Sequence, residues 1–139
     1  MSLLDWLKNG WIDEHPTSKR EISDLLAAAA RDLKTSLQMD LDTDWRYNIA
    51  YNGALQIAAA ALAATGYRAR RDSHHFRVIQ SLRFTICAEP ELIDLLDHFR
   101  QKRNRGTYER AGMISDHEAQ EMRELAEILR DRTVPCKWR

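Results

Sequence analysis

Residues 42–66 read DTDWRYNIAYNGALQIAAAALAATG. Asp42, Thr43 and Asp44 are consecutive N-cap candidates, because their short side chains can accept from the first backbone N–H groups of a helix. Tyr47, Tyr51, Ala54, Leu55, Ala58 and Leu62 then recur at threes and fours, and Gly66 supplies a C-terminal stop. The spacing predicts one long helix whose alanine run lets another backbone approach closely. Its longest apolar run, IAAAALAAT at 57–65, falls far short of the ~20 residues a bilayer crossing needs.

The same periodicity extends in both directions. Upstream, Ser18 and Glu21 have capping-box spacing ahead of Ile22, Leu25, Leu26, Ala29, Leu33 and Leu37. Downstream, Ser73 can cap a helix carrying Phe76, Ile79, Leu82 and Ile86. Pro90 sits where a first-turn proline is tolerated and opens a fourth helix. Gly106 and Gly112 are expected to bracket its break. Ser115 with Glu118 caps a fifth helix bearing Ala119, Met122, Leu125, Ala126 and Leu129, followed by a frayed tail. No stretch alternates apolar and polar residues long enough to predict a strand. With 139 residues, 44% of them hydrophobic, the chain has material for one core. The expected fold is all-α: an up-and-down bundle of four to five helices over 18–132, an N-terminal arm or short helix over 1–17 containing Trp6 and Trp11, and a C-terminal tail over 133–139.

Lys plus Arg and Asp plus Glu balance at 21 each, so net charge alone cannot hold a polyanion. The distribution is uneven: residues 66–110 carry 10 basic and 6 acidic side chains, whereas residues 1–65 carry 6 and 9. Cys87 and Cys136 lack metal-ligand or CxxC spacing and read as ordinary buried or terminal thiols. MSLLDWLKNGWIDEH meets an acid at its fifth residue, unlike a secretory leader. A soluble cytoplasmic protein without a membrane partner is expected. No Ser-His-Asp set, Walker loop, HExxH or GxGxxG occurs, and neither a cofactor nor a metal site is expected.

The unusual stretch is LLDHFRQKRNRGTYERAGMIS, 95–115. Leu92, Leu96, Phe99 and Arg103 fall on nearly one line of the helix, so an arginine continues a row that should be buried. Five of the eleven residues from 100 to 110 are basic: Arg100, Lys102, Arg103, Arg105 and Arg110. Such a run suits either RNA or nucleotide phosphate, or a helix C-terminus whose dipole favours cations. The turn GYRARRDSHH adds Arg70, Arg71 and His74 as phosphate-binding candidates. His75 is adjacent, and either histidine could serve as a proton carrier if it reached Arg103. On residue chemistry alone, Arg103 also reads as a core-edge arginine paired with an acid, Asn104 as a cap and Tyr108 as a packing residue.

An all-helical domain carrying Arg103-Asn104 and then a polar ring at Tyr108 resembles the HEPN domains of bacterial toxin, defence and nucleotide-handling proteins. Their motif is an Arg followed after four to six residues by His, commonly with Asn straight after the Arg. The resemblance covers roughly residues 18–132 and departs at Tyr108, which stands in the place of His. It implies a homodimer whose paired motifs line a shared basic cleft, with Arg103, Asn104 and Tyr108 in the catalytic positions. It also implies metal-independent cleavage of RNA and a nucleotidyltransferase-type antitoxin partner. A phenol with a reference pKa of about 10 is a poor base near neutrality, so weakened or lost cleavage is expected. The alternatives are an active endoribonuclease and a helical module that only associates with other proteins.

Overall fold

The computed structural model describes residues 1–72, 74–108 and 114–133, and the side chains of all of these except 105–108. In chain order the elements are α1 (Leu3–Lys8), β1 (Ile12–Glu14), α2 (Lys19–Thr35), α3 (Thr43–Ala64), β2 (Tyr67–Ala69), α4 (His74–Thr85), α5 (Pro90–Tyr108) and α6 (Asp116–Thr133). The protein is thus mostly helical.

The chain is organised around α3. It packs principally on α2 and α6, with α4 alongside and α5 touching it more lightly. The sequence pattern suggested one apolar face, yet Ala50, Tyr51, Ala54, Ile57, Ala58, Ala60 and Leu62 are all buried. They spread over more than half of the circumference, because neighbours pack on the helix from several sides, while Trp45 and Asn52 remain exposed. Small residues make the enclosure tight: a Cβ at Gly53 would lie 3.2 Å from Leu33 Cδ2 and 3.5 Å from the Ala29 carbonyl. The close approach expected of this helix therefore occurs against α2.

Local signals fix most boundaries. Ser18 Oγ accepts from the Glu21 N–H at 3.1 Å. Ser115 and Glu118 form a reciprocal box, each side chain accepting from the other's backbone N–H at 3.1 Å. Gly66 stops the α3 exit with a φ of +95°, where a side chain would be strained. The expected cap at Ser73 lies outside the described residues, as do Gly112 and the tail from 134. Helix α5 runs past Gly106 to Tyr108, beyond the first of the two glycines expected to break it. Leu37 lies past the end of α2 and is exposed.

The sequence reading missed a two-stranded antiparallel sheet. Ile12 pairs with Ala69, Asp13 with Arg68 and Glu14 with Tyr67. Three-residue strands are too short to show an alternation. The sheet is held by Ile12, which is fully buried, and by an Arg70–Asp13 ion pair at 2.9 Å. Helix α1 adds the buried Trp6, whose ring meets Phe84 edge-on at 5.3 Å. The first seventeen residues thus lie against the core.

Cys87 also departs from expectation: it is exposed and has a φ of +52°. It makes the α4–α5 turn, which Arg132 of α6 pins by donating to the Ile86 and Cys87 carbonyls and to Glu89. A left-handed non-glycine residue costs about 1–2 kcal/mol, partly recovered with glycine. Cys87→Gly is expected to raise the unfolding free energy by about 0.5–1 kcal/mol in urea titrations.

Candidate basic site at the α3, α4 and α5 junction

Helix α5 brings the line Leu96, Phe99 and Arg103 against the bundle. Leu96 and Phe99 are buried and Arg103 is half-buried. One turn before the arginine, Tyr47 of α3 donates its hydroxyl to the Phe99 carbonyl at 2.7 Å, and its ring meets Phe99 edge-on at 5.8 Å. Burial raises the Tyr47 phenol well above its usual pKa, so this donor keeps its proton. The contact fixes the rotation of α5 about its axis.

That rotation places the Arg103 guanidinium over the Tyr51 ring, 5.2 Å from its centroid. Such stacking suits arginine, whose planar, weakly hydrated cation sits well on an aromatic face. The Tyr51 hydroxyl lies 3.4 Å from His75 Nδ1. Burial pushes the Tyr51 phenol up to about 12, against the opposing charges of Arg103 and Arg100. Near neutrality the phenol is therefore protonated and can donate to His75. Three helices converge here, since Tyr51 comes from α3, His75 from α4 and Arg103 from α5.

The electrostatics of His75 follow from these neighbours. Burial disfavours the imidazolium, and the charges of Arg103, His74 and Arg100 disfavour it further, so its pKa falls below the ordinary 6.5. In the unfolded chain the same imidazole binds its proton more readily. Unfolding therefore takes up a proton below pH 6.5, and the stability His75 contributes is complete above that pH and is lost as pH falls toward the folded midpoint. NMR titration should give His75 a midpoint below 6.5, and one at or above 6.5 would contradict this environment.

Other expected site residues have separate environments. Arg100 lies over Phe76 at 5.5 Å and donates to Asp97 at 2.7 Å. Burial opposes ionisation of Asp97, but the hydrogen bonds from Arg100 and Gln101 outweigh it and hold the carboxyl below its usual range. Lys102 pairs with Glu118, tying α5 to α6. Asn104 is exposed. The Arg105 and Tyr108 side chains, and Arg110 altogether, lie outside the described residues.

Arg70, Arg71 and His74 line a different recess, of about 530 Å³, together with Arg68, Asp13 and Asp72. The histidine that shares Tyr51 with Arg103 is thus His75 rather than His74, which is exposed. Helix geometry accounts for the division: consecutive residues point about a quarter-turn apart, and the two rings stand 5.8 Å from each other. Sequence spacing showed that they diverge without showing which ring turns inward.

Among the described residues no helix is long and apolar enough to cross a membrane, and no three His, Cys, Asp or Glu side chains gather in a metal-holding group. Of the remaining histidines, His15 bonds Glu21 at 2.8 Å and His98 is exposed. Asn52 of α3 donates to Asp32 of α2 at 3.0 Å. The chain matches no protein-family model and no curated protein.

Proposed function

We propose that the protein is a HEPN-like homodimer that binds RNA or nucleotide phosphate through a basic cleft centred on Arg103, as a toxin-antitoxin or defence component with weakened or lost RNA cleavage. The observation that supports binding most is the position of the Arg103 guanidinium, half-buried on Tyr51 and next to a neutral imidazole. A guanidinium fork recognises phosphate oxygens through charge-assisted bonds, and partial burial strengthens them. Arg100 adds to the local positive potential, although Asp97 offsets part of its charge.

The test is fluorescence anisotropy with labelled single-stranded RNA in EDTA. Arg103→Ala is expected to weaken binding about ten- to hundred-fold, corresponding to the loss of one charged hydrogen-bonding group, with helicity unchanged by circular dichroism. Equal affinity would return Arg103 to a structural role on Tyr51. A monomeric mass at micromolar concentration would remove the shared-cleft part of the reading.

A second reading, an active metal-independent endoribonuclease, is favoured by His75. The imidazole is held in its neutral form beside the phosphate-binding cation, as a general base near pH 7 must be. Cleavage in EDTA that disappears in His75→Gln while RNA is still bound would establish this reading. Cleavage that persists in the variant would exclude His75 as the base.

A further inference from the structure

We infer that the recess lined by Arg68, Arg70, Arg71 and His74 is a second phosphate subsite, so that the ligand is a single-stranded oligonucleotide and not a mononucleotide. The inference rests on the reading of Arg103 as a phosphate-binding residue. It assigns the ligand's class from two separated basic groups that one chain of phosphates can reach.

The recess lies where β2 runs into α4. Arg68, Arg70 and Arg71 fall within four consecutive positions of the chain and are all exposed, with His74 at the start of α4 completing the wall. The acids are divided unequally among them. Asp13 is engaged by Arg70 at 2.9 Å, which fixes that arginine to the sheet. Arg68 and Arg71 contribute positive charge beyond that ion pair, and the field of Arg68 helps hold the Glu21 carboxyl ionised, after the hydrogen bonds from Thr17 and His15. The recess is open, and its three arginines and His74 share the lining with Asp13 and Asp72, which leaves the arginines in excess. That suits an anion that arrives hydrated and keeps some of its water.

His74 and His75 connect the recess to the Arg103 site. One ring faces the recess, the other meets Tyr51 beside Arg103, and their centroids are 5.8 Å apart. A mononucleotide with its charge in one phosphate group can occupy one of these sites at a time. A single strand presents a phosphate at every residue and can place different ones at the two sites together, gaining from both. Phe76, which follows His75 on α4, has the Arg77 and Arg100 guanidinium groups 5.3 and 5.5 Å from its centroid. An aromatic ring among arginines is the surface on which bases of a single strand stack without sequence preference.

The test compares uridine monophosphate with a short single-stranded oligouridylate, each titrated into the full chain, into Arg103→Ala and into an Arg68→Ala/Arg71→Ala double variant. Both arginines of the double variant are exposed, and Arg70 is left in place to hold the sheet. The oligonucleotide is expected to bind at least ten-fold more tightly than the monophosphate. The double variant should lose most of that advantage while still binding the monophosphate at the Arg103 site. Its slope of log affinity against log salt should also fall by about 0.7 for each phosphate contact removed. Equal affinities for the two ligands, or an unaltered oligonucleotide affinity and salt slope in the double variant, would overturn the second subsite and leave the Arg103 reading standing. Binding that is indifferent to Arg103→Ala, or no binding of either ligand, would overturn that reading and this inference with it.

Discussion

Tyr47→Ala is expected to lower the unfolding free energy by about 3–5 kcal/mol, within the usual range for removing a large aromatic from a core. The ring is 1% exposed and packs edge-on against Phe99. Its loss opens a cavity between α3 and α5 that rigid helices cannot fully close. The hydroxyl is a separate contribution. Tyr47→Phe keeps the packing and removes the bond to the Phe99 carbonyl, costing about 1 kcal/mol. The pair of variants separates two effects on function. If the hydroxyl sets the rotation of α5, Tyr47→Phe should weaken RNA binding at Arg103 by more than its small stability loss can explain. Urea denaturation of both variants, with RNA anisotropy on Tyr47→Phe, checks both parts. A Tyr47→Ala loss below 1 kcal/mol would mean that α5 is not seated as described.

Gly53→Leu should be comparably damaging, at about 3 kcal/mol, for the opposite reason. Here there is no space to fill: the first atom of any side chain would already meet Leu33 at 3.2 Å and the Ala29 carbonyl at 3.5 Å. Three further carbons must push α2 away from α3 across a contact that runs along most of α2, and overpacking of this kind costs about 1–3 kcal/mol or more. Gly53→Ala is the informative control. It gains up to about 1 kcal/mol of helix propensity against a small displacement of the flexible Leu33 side chain, so its thermal midpoint should stay close to the parent's. A tolerated leucine would show that the two helices are not in close contact at this point.

The elements most legible in the sequence were those with caps and long apolar periods. Ser18, Pro90 and Ser115 marked helix starts because their chemistry acts within one turn, and the row ending in Arg103 was visible because helical geometry is regular. The sheet was not legible. Residues 12–14 and 67–69 become strands by finding each other across 52 intervening residues, and tertiary pairing of that kind leaves no local pattern. The enclosure of α3 was only half visible: its alanines suggested close approach but not from how many sides. At the site, Arg103 stood out by position, while Tyr51 looked like any core tyrosine and His75 could not be told from His74. The contact joining them depends on the rotation of α3, α4 and α5 about their axes, which a linear pattern does not specify.

The small sheet has a consequence for how the molecule opens. Arg68 and Arg70, with Arg71 just beyond, are positioned by three paired residues and one buried isoleucine, whereas Arg103 belongs to a nineteen-residue helix. Units with so few buried contacts detach at a small fraction of the global free energy. The two strands are therefore expected to open at a lower free energy than the helices around Arg103, although Trp6 and Ile12 keep the N-terminal arm tied to the core. Amide exchange at residues 12–14 and 67–69 would occur together and earlier than in α3. Half of the basic surface would thereby be adjustable and half fixed, so the proposed strand would meet one rigid contact first and be fitted at the other afterwards.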